Sequence, residues 1–201
     1  MNAKFHRFLP LTLTIFLSAW QIAKDHPGDT QVAVWAYTVG FGILLVASLW
    51  LILMGLEVLG NPVGVVIAAL IPLSFSFGLV AEYAPVYTWT YLGFALIGLL
   101  GIAATRFMHV STSLRVWVVA FVHGMAGFSI ISLPLLVLWQ GQAGIAVLGV
   151  SVGGVVVGIS GMALLWQRMG ASPGGMGDLT PLLPWALWFS TICLVIGFNL
   201  R

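Results

Sequence analysis

His123 is the residue with the clearest potential for chemistry, because it stands inside a long apolar segment. It lies nine residues beyond Leu114, which places it about 13 Å into a hydrocarbon core of about 30 Å. An ionisable side chain at that depth is a candidate for a functional role. A neutral imidazole suits the axial position of a haem or chlorophyll-type pigment, so His123 is a candidate cofactor ligand.

Two other interpretations of His123 remain open. The side chain could relay a proton or contact a substrate, or it could donate a hydrogen bond to a carbonyl on a close-packed neighbouring helix. Small residues surround it on its own segment, at Ala120, Gly124 and Gly127, so another group can approach closely. A bis-histidine haem is not expected, because the other histidines fall in polar ends or loops. These are His6, His26 and His109.

Glu57 and Glu82 are candidates for an ion or proton path, because intramembrane carboxylates mark such paths in pumps and transporters. Glu57 comes shortly before Gly60 and Asn61, and Glu82 directly precedes Tyr83. Both positions predict interfacial helix ends on opposite sides of the membrane, where a carboxylate is solvated or paired locally. No Asp or Glu is expected near mid-membrane, which argues against a proton- or sodium-coupled transporter.

The short segment from Gly158 to Gly161, Gly-Ile-Ser-Gly, resembles the Gly-x-Ser-Gly of rhomboid intramembrane proteases, whose serine pairs with a histidine on a later helix. Ser160 would be the nucleophile and His123 the only deep base. Here the histidine comes first, and the helix after Ser160 has none, so the chain departs from the family's order. The last apolar segment has no lysine for retinal, and phosphate-binding, zinc and Cys-x-x-Cys motifs are missing. We therefore expect no catalysis by this chain on its own.

The composition is that of a membrane protein. Of the 201 residues, 61% are hydrophobic and 6% are charged, and the mean hydropathy is +1.11. Soluble domains carry about a quarter charged residues. Seven basic residues against five acidic ones are too few and too scattered for a nucleic-acid-binding face. The lipid bilayer is therefore the expected partner and nucleic acid is not.

Apolar segments of about 20 residues, enough to cross a bilayer, recur along the chain between short links. They predict a single all-α domain over residues 1–201, a polytopic membrane helix bundle with seven transmembrane helices and an interruption at Pro72. Six crossings are the alternative, because the first segment has the outline of a signal peptide. The segments are Phe8 to Ala23, Gln31 to Glu57, Val63 to Ala81, Val86 to Thr105, Leu114 to Trp139, Gly144 to Trp166 and Leu182 to Leu200.

The basic residues predict the orientation, since cytoplasmic loops carry an excess of Lys and Arg. With seven crossings, five basic residues fall on the N-terminal side and two on the other. We therefore expect an integral protein of a prokaryotic inner (cytoplasmic) membrane with a cytoplasmic N-terminus. The five are Lys4, Arg7, Arg106, Arg115 and Arg168, and the two are Lys24 and Arg201.

The segment from Gly144 to Trp166 is rich in glycine, which predicts close helix packing, because backbones approach each other where side chains are missing. Its small residues divide between two faces, so we expect two close neighbours and a central position in the bundle. One face carries Gly154, Gly158 and Gly161, and the other carries Gly149, Gly153 and Ser160.

Short loops, sparse polar groups and small-residue faces favour a protein whose task is to pack within the membrane. We expect an accessory or structural subunit of a larger membrane complex, with a respiratory or photosynthetic electron-transport complex as the leading kind and other membrane subunits as partners. One alternative is a small-solute transporter or channel with helices broken near Pro72 or Pro134. The other is a haem- or chlorophyll-type pigment protein that uses His123.

Overall fold

The structure is a computed structural model that describes the backbone at residues 3–24, 30–168 and 180–200, and the side chains at residues 8–24, 30–163 and 180–200. This part of the chain is all-α, and short 3₁₀ turns precede α3, α4, α6 and α7. The seven helices are α1 (Ala3–Ala23), α2 (Gln31–Met54), α3 (Pro62–Tyr83), α4 (Thr88–Phe107), α5 (Thr112–Trp139), α6 (Leu148–Arg168) and α7 (Leu183–Asn199).

Six of these helices, α2 to α7, are long and apolar enough to cross a bilayer, counting the short turns that precede some of them. The apolar part of α1, Phe8–Ala23, is shorter. The prediction of an all-α integral membrane bundle is therefore confirmed. The predicted interruption at Pro72 is wrong, because α3 continues through it, as α5 continues through Pro134. Transmembrane helices tolerate proline where neighbouring groups satisfy the freed backbone atoms.

Polar residues at the helix starts define where the spans begin. The side chains of Thr30, Asn61 and Ser111 accept hydrogen bonds from first-turn amides of α2, α3 and α5. Such caps satisfy amides that the start of a helix leaves without an intrahelical partner. At the other end of α2, Gly55 has a φ of 80°, a backbone conformation that favours glycine, and the chain turns there towards α3.

Helices adjacent in sequence pack together, and contacts of α1 with α7 and of α3 with α5 complete the bundle. The helices α1, α2, α3, α5, α6 and α7 form a closed circuit, with α4 beside α3 and α5. Leu11 of α1 packs in one cluster with Leu51 and Leu187, and Asn199 of α7 hydrogen bonds to Gln21. Hence α1 runs antiparallel to α2 and parallel to α7. We call the end with Leu11 the inner end and the end with Gln21 the outer end.

The circuit is filled in its outer half by an aromatic cluster. Tyr37 and Phe41 of α2, Phe75 of α3 and Phe198 of α7 are fully buried. The ring centroids of Tyr37 and Phe198 are 4.3 Å apart, and those of Phe41 and Phe75 are 4.9 Å apart in an edge-on arrangement. Such ring pairs add about 0.5–1.5 kcal/mol beyond burial alone. The outer halves of α2, α3 and α7 are therefore joined by a continuous core.

The predicted central position of the glycine-rich helix α6 is wrong, because its helix neighbours are α5 and α7 and it lies at the edge of the bundle. Its two faces do separate as predicted in the outer half. A Cβ at Gly149 or Gly153 would lie 2.5 Å or 2.9 Å from a main-chain oxygen of α7, whereas Gly154 faces α5. Glycines bring two backbones together, but they cannot fill a core, and large aromatic side chains occupy the centre instead.

Candidate functional site

In their outer halves, α5 and α6 are tightly packed. A Cβ built at Gly154 of α6 would lie 2.7 Å from Cγ2 of Ile130 on α5. Nearby, the Ser151 hydroxyl donates a hydrogen bond to the main-chain oxygen of Ile131 at 2.8 Å. Because the two helices are antiparallel and in contact at this level, their register fixes which residues face each other further along.

Towards the inner end, helix periodicity continues the facing sides of the two helices through further glycines. Gly158 and Gly161 follow Gly154 on α6, and Gly124 and Gly127 precede Ile130 on α5. At all four, no atom of the described residues beyond the helix's own nearby backbone lies within 4 Å of a built Cβ. Antiparallel pairing places Gly158 level with Gly127 and Gly161 level with Gly124. We call the surface formed by these four glycines the α5–α6 cleft.

His123 stands beside the α5–α6 cleft, at the level of Gly161. Its ring is partly buried, and Nδ1 is fully buried without a hydrogen-bond partner of good geometry in the described part of the chain. The main-chain oxygen of Val119, one turn earlier on the same helix, lies near the ring. A neutral imidazole can donate from one nitrogen and present the other to a metal, because the environment of one nitrogen selects the tautomer.

Ser160 does not form a catalytic pair with His123. Its hydroxyl donates a hydrogen bond to the main-chain oxygen of Val156 on its own helix at 2.7 Å. Among the described residues no hydrogen bond joins Ser160 to a histidine, so the rhomboid-like motif lacks the nucleophile and base contact that such chemistry requires.

Glu82 and Tyr37 form a polar pair near the outer end, between α3 and α2. The Tyr37 hydroxyl donates a hydrogen bond to the Glu82 carboxylate at 2.7 Å, and the Tyr37 side chain is fully buried while Glu82 is partly exposed. A carboxylate that accepts a short hydrogen bond from a buried donor is held in place. Glu82 therefore helps to join α2 and α3 at the membrane surface.

A second polar pair joins α1 to α7 at the same end of the bundle. The Asn199 amide donates hydrogen bonds to the Gln21 side chain at 2.6 Å and to the main-chain oxygen of Val195 at 2.7 Å. Gln21 is fully buried. The pair fixes the depth of α1 relative to α7.

Glu57 is part of neither polar pair. It lies in the 3₁₀ turn Leu56–Gly60 at the inner end and is exposed. The two predicted carboxylates are thus at opposite ends of the bundle and do not belong to one path.

Three hydroxyl groups meet between α3, α4 and α5. The buried Tyr91 hydroxyl of α4 lies near Ser76 of α3 and Ser129 of α5 but has no hydrogen-bond partner of good geometry among the described residues. Each serine also donates to a main-chain oxygen of its own helix, Ser76 to Pro72 at 2.6 Å and Ser129 to Met125 at 3.0 Å. These are local polar contacts among neutral groups, which are common between membrane helices.

An apolar groove of about 300 Å³ lies between α2 and α3. Its lining has no polar side chain, so it suits a hydrocarbon chain of the bilayer and not a polar solute. The groove is lined by Val39, Gly42, Ile43, Val46, Ile67 and Leu70.

Sequence reasoning missed Tyr37 as the partner of Glu82, and it missed the Gln21–Asn199 pair. A signal for the first was present: antiparallel pairing of α2 and α3 about their short link places position 37 level with Gly78, one turn from Glu82. In the structure Gly78 does lie against the Tyr37 ring. The second pair depends on the contact of α1 with α7, which no local pattern indicates.

The chain matches no protein-family model, no curated protein and no solved structure. The proposals below therefore rest on the geometry of the described residues.

Proposed function

We propose that this chain is a non-catalytic accessory subunit of a larger membrane complex, and that a transmembrane helix of a partner subunit packs into the α5–α6 cleft. One observation carries the proposal: a Cβ built at any of the four glycines meets no atom of the described residues within 4 Å, and all four lie in helices long and apolar enough to span a membrane. Small residues on facing helices are the surfaces that let a further helix approach closely in lipid, where the hydrophobic effect no longer drives association.

The contrast within α6 supports this proposal. In its outer half, Gly149, Gly153 and Gly154 are in close contact with α7 or α5, whereas a Cβ built at Gly158 or Gly161 in its inner half meets none of the described residues within 4 Å. Glycine weakens a helix by about 1 kcal/mol relative to alanine in water. A contact with a partner helix would account for Gly158 and Gly161, which no described residue touches.

The geometry gives less support to a transporter or channel. A carrier of that kind typically uses broken helices around a polar site near the middle of the membrane. Here α3 and α5 are continuous through their prolines, and Glu57 and Glu82 lie at opposite ends. The α2–α3 groove has an apolar lining.

For the orientation, we propose seven crossings with the inner end in the cytoplasm. The parallel course of α1 and α7 lets α1 cover the same depth as a spanning helix. Arg106 and Arg115 then lie at the inner end together with the start of α1, which carries Lys4 and Arg7, and Lys24 lies at the outer end. This distribution matches the excess of basic residues on cytoplasmic sides.

Photocrosslinking in the source organism's membranes tests the partner. A photoreactive residue replaces Gly158 or Gly127, and a matched control replaces Ile97, which is 73% exposed on α4. We expect both cleft positions to yield an adduct of the same mass, the control to yield none, and Gly161→Leu to abolish the adduct at 127. Adducts with lipid alone at all positions would overturn the proposal. An adduct of twice the chain's own mass would assign the cleft to a second copy instead.

A second candidate, ligation of a haem or chlorophyll-type pigment, is favoured by the position of His123 beside the cleft. When bound, the pigment would supply electron transfer or light absorption, which is why we propose an electron-transport complex as the assembly. His123 would supply an imidazole nitrogen to the pigment's metal, and the glycines of the α5–α6 cleft would offer a surface without side chains. Protein purified in mild detergent is expected to absorb visible light, with the band lost in His123→Ala and kept in His109→Ala. Colourless protein contradicts this candidate and leaves the packing role standing.

A further inference from the structure

The imidazole of His123 has hydrogen-bonding capacity that the described part of the chain does not use. Nδ1 is fully buried without a partner of good geometry, and Nε2 forms no hydrogen bond to a described residue. The main-chain oxygen of Val119 lies near the ring, but no bond of good geometry joins them. A neutral imidazole carries one donor and one acceptor. Among the described residues, both are without a partner.

The side chain lies at a depth where water does not replace the missing partner. His123 is in α5, a helix long and apolar enough to span a membrane, about 16 Å from its start at Thr112. Lipid chains offer neither a hydrogen-bond donor nor an acceptor, and a polar group without a partner is strongly disfavoured there. A polar group from another molecule would satisfy the ring.

The surface of α5 next to His123 is open to such a molecule. Gly127 lies one turn beyond His123 and Ala120 lies about one turn before it, so the three share one face of the helix. Ala120 is exposed, and a Cβ built at Gly127 meets no atom of the described residues within 4 Å. A partner helix can therefore approach along these small residues until its own side chains reach the imidazole.

We infer that the transmembrane helix that packs into the α5–α6 cleft carries a hydroxyl or carboxamide side chain that hydrogen bonds to the His123 imidazole. Ser, Thr, Asn and Gln supply such groups, which both donate and accept and so match either tautomer of the ring. A carboxylate or ammonium group at this depth would add a charge, which hydrocarbon disfavours more strongly than a neutral group. This inference rests on the proposed function, because it names a contact of the partner helix proposed there.

Dilution of the complex in mild detergent tests this contact, with the photocrosslinked adduct at Gly158 as the probe. Membranes of the source organism are solubilised, diluted in steps and illuminated, and the concentration at which half of the adduct is lost is measured. For His123→Leu we expect this concentration to rise about threefold to tenfold, the range of one interhelical hydrogen bond in a membrane. His123→Gln keeps a donor and an acceptor and should stay close to the unaltered chain. The control His109→Leu, in the exposed link between α4 and α5, should change nothing.

The isolated chain should respond to the same substitution in a different way. Without the partner helix the ring nitrogens stay unpaired, so an apolar side chain replaces a group that has no hydrogen bond to lose. His123→Leu is therefore expected to unfold in mixed micelles at the same or a higher denaturant concentration than the unaltered chain. A lower concentration would show that His123 stabilises its own bundle, and it would overturn the inference.

Mass spectrometry of the adduct at Gly127 gives an independent check, because this position is one turn from His123. The linked segment of the partner should contain Ser, Thr, Asn or Gln within about four residues of the linked position. An entirely apolar segment overturns the inference, as does an unchanged dilution midpoint in His123→Leu or an equal rise in His123→Gln.

These outcomes separate the inference from the proposed function. If the adduct persists while the effect of His123 is missing, the packing role stands and the inference falls. If the unaltered chain gives no adduct with another protein, both fall. A visible absorption band that is lost in His123→Ala assigns the ring to a pigment and also overturns the inference.

Discussion

Replacing Gly149 with alanine should weaken the contact of α6 with α7 by a predictable amount. The new Cβ would lie 2.5 Å from the main-chain oxygen of Cys193 and 3.0 Å from the main-chain nitrogen of Gly197. Both are backbone atoms and cannot rotate away. The two helices would have to separate by about 0.9 Å to restore an ordinary contact of 3.4 Å.

A separation of that size removes a quarter to a half of the dispersion energy of each contact along the interface. Overpacking a core lowers the free energy of unfolding by about 1–3 kcal/mol. We expect Gly149→Ala to lower the free energy of unfolding by this amount. The matched control is Gly158→Ala, two to three turns along the same helix, where a Cβ meets nothing. In the isolated chain the control should be neutral or stabilising by up to about 1 kcal/mol, because alanine favours a helix more than glycine does.

The assay is reversible unfolding of the purified chain in mixed detergent micelles, followed by circular dichroism. Equal destabilisation by the two substitutions would refute the reasoning, since it would mean that helix propensity or general perturbation dominates and not the contact with α7. A neutral Gly149→Ala would also refute it, because it would place α7 farther from α6 than the structure does.

Three further predictions concern polar contacts and use the same assay. Tyr37→Phe removes the hydrogen bond to Glu82 and should lower the free energy of unfolding by about 1–2 kcal/mol, somewhat less than the loss of a fully buried bond to a charged group. If Tyr37→Phe lowers it by the same amount in a Glu82→Ala background, the two side chains are not paired. Ser190→Ala removes a hydrogen bond from α7 to α6 and should lower the free energy of unfolding by about 0.6 kcal/mol. Ser160→Ala removes a hydrogen bond within α6 alone and should lower it by less. Asn199→Leu removes the hydrogen bond to Gln21 and should weaken the attachment of α1 to α7. The main-chain amides of α1 should then exchange hydrogen faster than in the unaltered chain. Unchanged exchange would show that the Gln21–Asn199 pair does not hold α1 in place.

Properties that depend on one segment at a time could be predicted from the sequence. Hydropathy predicts the spanning helices α2 to α7, because each lies in one long apolar segment. The glycine faces of α6 were also visible, and the outer half uses both of them. Their spacing reports how closely a neighbour can approach, but it does not report how many neighbours a helix has. For that reason α6 was wrongly placed at the centre.

Features that depend on two or more helices could not be predicted in the same way. The α5–α6 cleft needs Gly124 and Gly127 on one helix to face Gly158 and Gly161 on the other, and the sequence shows each pair without their alignment. The pairing of Asn199 with Gln21 joins residues 178 positions apart. Only the packed bundle brings such residues together.

The contact between α1 and α7 has a consequence for how the protein is made. A membrane protein emerges from the ribosome N-terminus first, so α1 enters the bilayer long before α7 exists. During that interval α1 can pack against α2, but the side chain of Gln21 lacks its amide partner from the last turn of the chain. The first helix therefore reaches its final packing only when the last one arrives. A chain that stops short of α7 would leave the Gln21 side of α1 uncovered and without its Asn199 partner.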